Sequence, residues 1–499
     1  MLRTLRNLRR VAGTAFCLAR HNALFPFELV PQARPLLALA DIFVDKSAPG
    51  RPGERLARAL QELGPAFIKL GQSLATRADL LGATIARDLS TLHDQLPPFP
   101  AAQARALLES ELEQPVGRLF SAFSDVPVAA ASIAQVHLAV TADGREVAVK
   151  VLRPGIEELM ERDLDFFLWL AQWAERLHPP LRRYRPVEAV RFLARSTRRE
   201  MDLRLEASAA AEFAQNCEQD EGFKVPAVDW RLTGRRFVTF ERVEGLPADE
   251  PDRLVAAGVD PDRVLEIAAR VFFNQVFRDG FFHADMHPGN MVIASDGTII
   301  AMDFGIMGRL DLATRRHLAE MLLGFLQRDY GRVTDVFFRA GFLPPHQDRA
   351  AFTQACRAIG EPILGLPLDE ISFGRLLGQL LAMAEEFEME TQPQLLLLQK
   401  TMVVAEGVGR GLNPRVNIWQ LAQPLVESWM RTHLGPEAQA REALRDGADA
   451  LRRLPALVRR AEGFLEKPSV VAVRAGPTGW LPLWLLPFVL GILLGLVLG

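Results

Sequence analysis

The stretch FFHADMHPGNMVIASDGTIIAMDFG, residues 281–305, puts Asp285 and Asn290 on one short loop closed by Pro288-Gly289. Asp303-Phe304-Gly305 follows, beyond two apolar runs around 291–294 and 298–302 that flank an Asp296-Gly297 turn. Apolar runs on either side of an Asp-Gly pair predict a hairpin, which brings the two polar loops to one end of it. Phosphoryl transfer needs metal-bridged phosphates held beside an attacking oxygen, and oxygen ligands on adjacent loops supply that. Asp303 and Asn290 offer hard ligands for Mg²⁺, and Asp285 can accept a proton or orient a nucleophile. An Asp-Phe-Gly tripeptide alone is a weak signal, whereas H-x-D-x-x-x-x-N paired with it across a hairpin is specific. A rival reading is that His283, Asp285 and His287 alternate, so that on a strand they project together as a hydrolase metal site. That scheme leaves Asn290, Asp303 and the upstream Lys150 without a role.

Upstream, residues 133–153 alternate about an Asp143-Gly144 turn, and Val147-Ala148-Val149-Lys150 lies on the far strand. A strand lysine of V-A-x-K form is what a kinase-type site uses to pair nucleotide phosphates. Its carboxylate partner is sought in Arg199–Ala207, where Glu200, Asp202 and Glu206 are candidates. On a continuous helix Asp202 and Glu206 share a face at i,i+4, while Glu200 and Asp202 point about 200° apart. One carboxylate can then meet Lys150 while another serves a different contact.

At 499 residues the chain exceeds one simple core, and 49% apolar with 24% charged residues describes a folded protein. A net charge of −3 argues against an electrostatic grip on nucleic acid. Cys17, Cys217 and Cys356 are widely spaced and read as reduced packing thiols. Residues 1–21 carry Arg3, Arg6, Arg9, Arg10 and Arg20 beside Leu2, Leu5 and Leu8, a pattern that fits a basic amphipathic helix able to lie on an anionic leaflet, a mitochondrial-type targeting sequence or an ordinary surface helix alike. Residues 55–115 read as helices interrupted at Gly64-Pro65, residues 156–217 as helices, and 225–241 as a second strand pair. A helix is expected over 261–280, and from Asp311 to about 465 the pattern is almost wholly helical. Trp480 to Leu498 is nineteen residues without a charge, the length of a membrane span, with Trp480 and Trp484 placed as an aromatic belt. Arg452, Arg453, Arg459, Arg460, Lys467 and Arg474 precede it, so the expectation is a single C-terminal transmembrane helix with the bulk of the protein cytoplasmic, at a bacterial inner membrane.

On these motifs the chain resembles the UbiB family, the aarF-type atypical kinase-like proteins of ubiquinone biosynthesis, over residues 55–420. Lys69-Leu70-Gly71-Gln72 matches the family's KxGQ motif, and Ala129-Ala130-Ala131-Ser132-Ile133-Ala134-Gln135-Val136-His137 its alanine-rich nucleotide loop. Glu200-Met201-Asp202 matches its ExD motif, and Phe282–Asn290 its FHADxHPGN signature. Lys400–Pro414 resembles its C-terminal helical region. The resemblance implies an α+β, protein-kinase-like two-lobe fold with a helical N-terminal extension. The expected division is a basic amphipathic segment (1–54), a helical extension (55–120), a small lobe with a helical insertion (121–244), a helical large lobe (245–465), and a linker with the transmembrane helix (466–499). It also implies that Lys150 contacts ATP phosphates and pairs with Glu206, that Asn290 and Asp303 hold Mg²⁺, and that Asp285 is the catalytic acid/base. Lys69 and Gln72 would lie on an extension folded over the site near Glu200 and Asp202, as regulatory residues.

No G-x-G-x-x-G precedes Lys150, and alanines occupy that loop. Ala284 replaces the arginine of H-R-D, and no A-P-E follows Gly305, so a peptide platform is hard to find. The resemblance therefore favours an ATPase or small-molecule kinase acting on lipophilic quinone precursors. The alternatives are a nucleotide-dependent scaffold and a protein kinase controlling other ubiquinone-biosynthetic enzymes. ATP and Mg²⁺ are the implied cofactors; the implied partners are quinone precursors, membrane lipid, those enzymes and a second copy in a homodimer. A quinone-ring hydroxylase finds no dinucleotide fingerprint, haem motif or di-iron carboxylate pair.

Overall fold

Asp143-Gly144 closes a hairpin between β3 (Ala134–Thr141) and β4 (Glu146–Leu152) in a computed structural model of the chain. The structure describes residues 2–25, 41–75, 82–89, 92, 96–177, 182, 185–362, 383–384, 386–389, 393–413 and 418–434. Two compact units divide at Arg431/Thr432, and every strand belongs to the first, Met1–Arg431.

Around the hairpin, β1 (Phe120–Phe123) and β2 (Ala129–Ala130) both pair with β3, and β6 (Phe237–Glu241) pairs with β4, all antiparallel. Side chains alternate across a strand, and here the alternation separates core from cleft. Val147, Val149 and Val151 are buried against Leu107, Leu108, Phe120 and Phe237, whereas Lys150 belongs to the opposite face. Lys150 lies between Val136 and Val238 in the register, on an inner strand.

The helices come in chain order as α1 (Leu2–Arg20), α2 (Pro52–Leu63), α3 (Pro65–Ala75), α4 (Ala83–Leu89), α5 (Ala101–Leu112), α6 (Ile156–Leu177), α7 (Pro186–Glu200) and α8 (Leu203–Asn216). The break between α2 and α3 falls at Gly64, where the sequence predicts it. At Gly71 of α3 a Cβ would meet a methyl of Leu92 and come within 2.7 Å of one of Leu60, so both side chains would have to shift to admit it. The helix α1 packs on the protein's own helices: Cys17 and Leu18 are buried, Arg6 bonds Asp165 at 2.9 Å and Arg10 bonds Asp163 at 2.7 Å. Two arginines of the basic segment are thereby paired with α6, as the surface-helix reading has it. Cys17, Cys217 and Cys356 are all buried and free.

The run Arg199–Ala207 departs from the expected continuous helix. Met201 ends α7 and Asp202 caps α8, its carboxylate accepting from the Arg204 amide. Asp202 and Glu206 thus do not share a helical face. The expected strand pair over 225–241 also differs: β5 (Phe223–Lys224) runs parallel to β10, while β6 joins the other sheet. Period-2 patterning shows that a strand forms without naming its neighbour.

Beyond β7 (Leu246–Pro247), α9 (Pro261–Phe273) continues through a π-turn, Asn274–Asp279, into β8 (Phe281–His283). Then β9 (Met291–Ile293) and β10 (Ile299–Ala301) form the predicted hairpin, and β11 (Met307–Arg309) returns to pair with β8. The remainder is helical where described: α10 (Leu312–Leu326), α11 (Tyr330–Arg339), α12 (Arg349–Gly360), α13 (Pro393–Leu412) and α14 (Ile418–Leu434).

The expected localisation is corrected. Among the described residues no helix is long and apolar enough to cross a membrane, so a single C-terminal transmembrane helix with a cytoplasmic bulk is not supported. Trp480–Leu498, on which that expectation rested, lies outside the described residues, as does 435–465.

Candidate active site

Lys150 Nζ donates to Glu206 Oε1 at 2.7 Å and lies 3.3 Å from Asp303 Oδ1. The three come from β4, α8 and the turn after β10, so the cleft joins residues from three separate parts of the chain. Burial opposes the ammonium, but Asp303 and Glu206 together raise the Lys150 pKa above its ordinary value. Burial likewise acts against the Asp303 carboxylate, yet Lys150 and the Gly305 amide outweigh it and bring its pKa down to about 2. Asp303 is thus an anion at neutral pH, and half of its side chain remains accessible to solvent (49%). Its φ of +56° is in the left-handed region that a non-glycine residue adopts at a cost, and such strain gathers at functional sites.

Phe304 fixes this aspartate from behind. Its ring is buried beside Phe213 of α8, Phe240 of β6 and His283, with centroids 5.8–6.0 Å away. Burying such a ring contributes about 1.5–3 kcal/mol. The same aromatic group holds α8, which carries Glu206, against the strand that leads to Asp285.

The loop after β8 is tied to the Asp303 turn through backbone hydrogen bonds: the Ala284 amide donates to the Ile306 carbonyl at 3.0 Å, and the Met302 amide to the Asn290 carbonyl at 2.8 Å. Asn290 Nδ2 donates to the Asp285 carbonyl at 2.9 Å, which leaves its side-chain oxygen free to act as an acceptor. An anionic carboxylate on Asp303 and an amide oxygen on Asn290 are the donor set that suits Mg²⁺. Asp285 itself accepts from Lys400 Nζ at 2.7 Å, and His287 Nε2 stands 4.0 Å from its other oxygen.

The rival metal reading of His283, Asp285 and His287 fails on this geometry. Only Phe281–His283 is strand, so the three do not project together. His283 is fully buried and both ring nitrogens are engaged, Nδ1 accepting from the Asp285 amide and Nε2 facing the Met302 carbonyl. Among the described residues, the grouping of three metal-type ligands is Cys17, His21 and Glu62 on and beside α1 and α2, where Arg20 also pairs with Glu62.

The alanine loop is a tight turn. Ala129 and Ala130 pair with Val136 and Gln135, and the Ala131 amide closes on the Ala134 carbonyl at 2.8 Å. Arg153 braces it through the Ala131 carbonyl, and Ser132 is fully buried with Ile133 nearly so. Val136 shares the face of Lys150. Gln135 is on the other face, where its amide exchanges hydrogen bonds with the Phe99 backbone, so its side chain does not reach the cleft. Lys69 meets Glu200 at 2.9 Å with both side chains about 15% exposed, and Gln72 follows one turn along α3; Asp202 is held by Arg204 at 2.7 Å.

Lys400 was not foreseen as part of this site. Its one signal is a lysine set in the apolar run Leu395–Val404, which gives no hint of a partner 115 residues away.

Comparison with known proteins shows the family. The sequence matches the ABC1 atypical kinase-like domain over residues 91–337 and the UbiB helical domain over residues 356–417. It is 41% identical to the Probable protein kinase UbiB of Marinobacter nauticus over 437 residues, covering 87% of this chain and 80% of that protein. It is also 41% identical to the protein of the same name from Shewanella halifaxensis, covering 81% and 75%. The solved complex of Rv3197 with erythromycin from Mycobacterium tuberculosis has the same fold, with a TM-score of 0.51, 24% identity, and coverage of 79% of this chain and 97% of that one. A kinase-like fold of mixed helix and sheet, the ordered motifs and relatives alike over most of their length place this chain in the UbiB family of ABC1 atypical kinase-like proteins.

Proposed function

We propose that the chain binds Mg²⁺-ATP in the cleft between Lys150 and Asp303 and transfers or hydrolyses its γ-phosphate in support of ubiquinone biosynthesis, with lipophilic quinone precursors as substrate or activator. The observation that carries this is the double contact of Lys150 with Glu206 and Asp303. A lysine so placed is positioned for the phosphates, and the half-exposed carboxylate beside it would hold the metal. When bound, the metal supplies charge neutralisation of the phosphates. Asn290 and Asp303 would hold it, and Asp285 would take the proton of the attacking oxygen.

The relatives' printed name, Probable protein kinase UbiB, raises the alternative of a protein substrate. Residues 306–311 alone separate Gly305 from α10, and half of them belong to β11. This leaves little chain for the extended segment on which a kinase docks a peptide, and it favours a small-molecule acceptor or water.

The test is ATP turnover by the purified protein with and without a phenolic, polyprenylated quinone precursor in detergent, beside Asp285→Asn. Nucleotide-dependent turnover that the precursor raises and the variant lowers about a hundredfold supports the reading. Equal turnover in both proteins, or no nucleotide binding in the parent, rejects it.

A further inference from the structure

The helix α13 brings a second lysine to the site from the far end of the chain. Its position is set by packing: Val408 and Leu412 are buried with Val264, Leu265, Met291 and Ile293, and Asn413 donates to Asp262 at 2.6 Å. Next to Lys400, Thr401 is fully buried, with its hydroxyl on the Leu397 carbonyl. Lys400 is therefore presented from a docked helix, and Nζ meets Asp285 Oδ1 at 2.7 Å.

Stability is a weak reason for this contact. The two side chains are 39% and 24% exposed, and ion pairs open to water contribute little. Charge offers a better one. The loop His283–Asn290 holds no lysine or arginine, Ala284 stands where kinases keep an arginine, and Lys150, which the proposed function gives to the nucleotide phosphates, pairs with Glu206 and Asp303 rather than with Asp285. The loop that carries Asp285 thus offers no permanent cation of its own, although on the proposed function negative charge spreads over the transferring phosphoryl group beside it. An ammonium has three donors, and Asp285 uses one.

Resting on the proposed function, we infer that Lys400 is a catalytic residue, whose ammonium holds Asp285 in place and donates to the γ-phosphoryl group as it transfers. In that step the acceptor oxygen, of water or of a hydroxyl compound, forms a bond to the γ-phosphorus. The bond from that phosphorus to the bridging oxygen breaks, its electron pair leaving with ADP. The acceptor's proton goes to the Asp285 carboxylate, and Lys400 neutralises charge without itself giving up a proton.

The test compares the full-length parent with Lys400→Met and Lys400→Arg by three measurements: affinity for Mg²⁺-ATP and Mg²⁺-ADP, kcat for ATP turnover, and the tightening of Mg²⁺-ADP by aluminium fluoride, a mimic of the phosphoryl group in flight. Lys400→Met should keep both nucleotide affinities within about twofold, lose about a hundredfold in kcat as when one preorganised donor is removed, and lose the tightening by fluoride. Lys400→Arg should restore part of both. A Lys400→Met kcat within about threefold of the parent, or above it, overturns the inference, as does unchanged tightening. A parent that binds Mg²⁺-nucleotide but does not turn over leaves the fluoride measurement to decide. A parent that binds no nucleotide removes the functional reading and this inference together, a result distinct from a binding parent with an indifferent Lys400→Met.

Discussion

Lys150 and Asp303 lie 3.3 Å apart although they come from an inner strand of the five-stranded sheet and from a turn of the mainly helical part. The lysine also bonds Glu206, so one ammonium links two carboxylates that would otherwise repel each other. This arrangement is strong at neutral pH and sensitive to the loss of any member, because a buried charge without its partner is costly.

On the proposed function, replacing Asp303 with Asn removes the anionic metal ligand and leaves the shape. Mg²⁺-nucleotide affinity should fall about a hundredfold or more, since hydrogen bonds and charge at such sites are worth several kcal/mol in sum. Calorimetric titration with Mg²⁺-ADP checks it, and an affinity equal to the parent's contradicts a metal role for Asp303.

The same variant carries a pH signature. The Asp303 pKa is about 2 in the folded chain against 3.8 for an unperturbed aspartate, so the folded state binds this proton less readily than the unfolded one. The resulting stabilisation is complete above about pH 4 and disappears as pH falls toward about 2. Chemical denaturation of parent and Asp303→Asn should therefore show a stability gap that narrows over that window. A gap that stays constant or widens on acidification contradicts the pairing with Lys150.

Lys69 and Glu200 form a second nearly buried pair, between α3 and the end of α7. Removing one partner as Lys69→Met should cost about 2–4 kcal/mol, and adding Glu200→Leu should recover much of it. A double-mutant cycle by urea unfolding measures the coupling. Additive effects would mean that the pair does not hold the extension.

Gly308 faces the Phe282 ring across the β8–β11 pair, and a Cβ there would collide with it. Gly308→Ala should destabilise the protein by about 1–3 kcal/mol through overpacking. Thermal unfolding checks this, and a melting temperature equal to the parent's would show that the two strands can separate at no cost.

Much of the site was legible because its residues sit in short, ordered motifs. The Asp143-Gly144 and Asp296-Gly297 turns located both hairpins, and these carry Lys150 and the loops of Asp285 and Asp303. The partner of Lys150 was another matter. Helical spacing alone could not select among Glu200, Asp202 and Glu206, because the chain breaks at Met201 and a helical wheel assumes no break; Glu206 was singled out by family resemblance. The separate sheets of β5 and β6 were hidden for a similar reason, as alternation carries no information about pairing. Lys400 was illegible because its meaning lies wholly in a contact between distant parts of the chain. The apolar C-terminal run misled in another way: length and hydropathy licensed a membrane span that no described helix supports.

Because Phe304 is wedged among rings from α8, β6 and the strand before Asp285, the turn that carries the Asp303 carboxylate is coupled mechanically to the helix that carries Glu206. Moving the Asp303–Phe304 backbone out of the cleft would require pulling that ring into water and dissolving an aromatic cluster. On the proposed function, spent nucleotide is therefore more cheaply let go by movement elsewhere around the cleft than by displacing this turn.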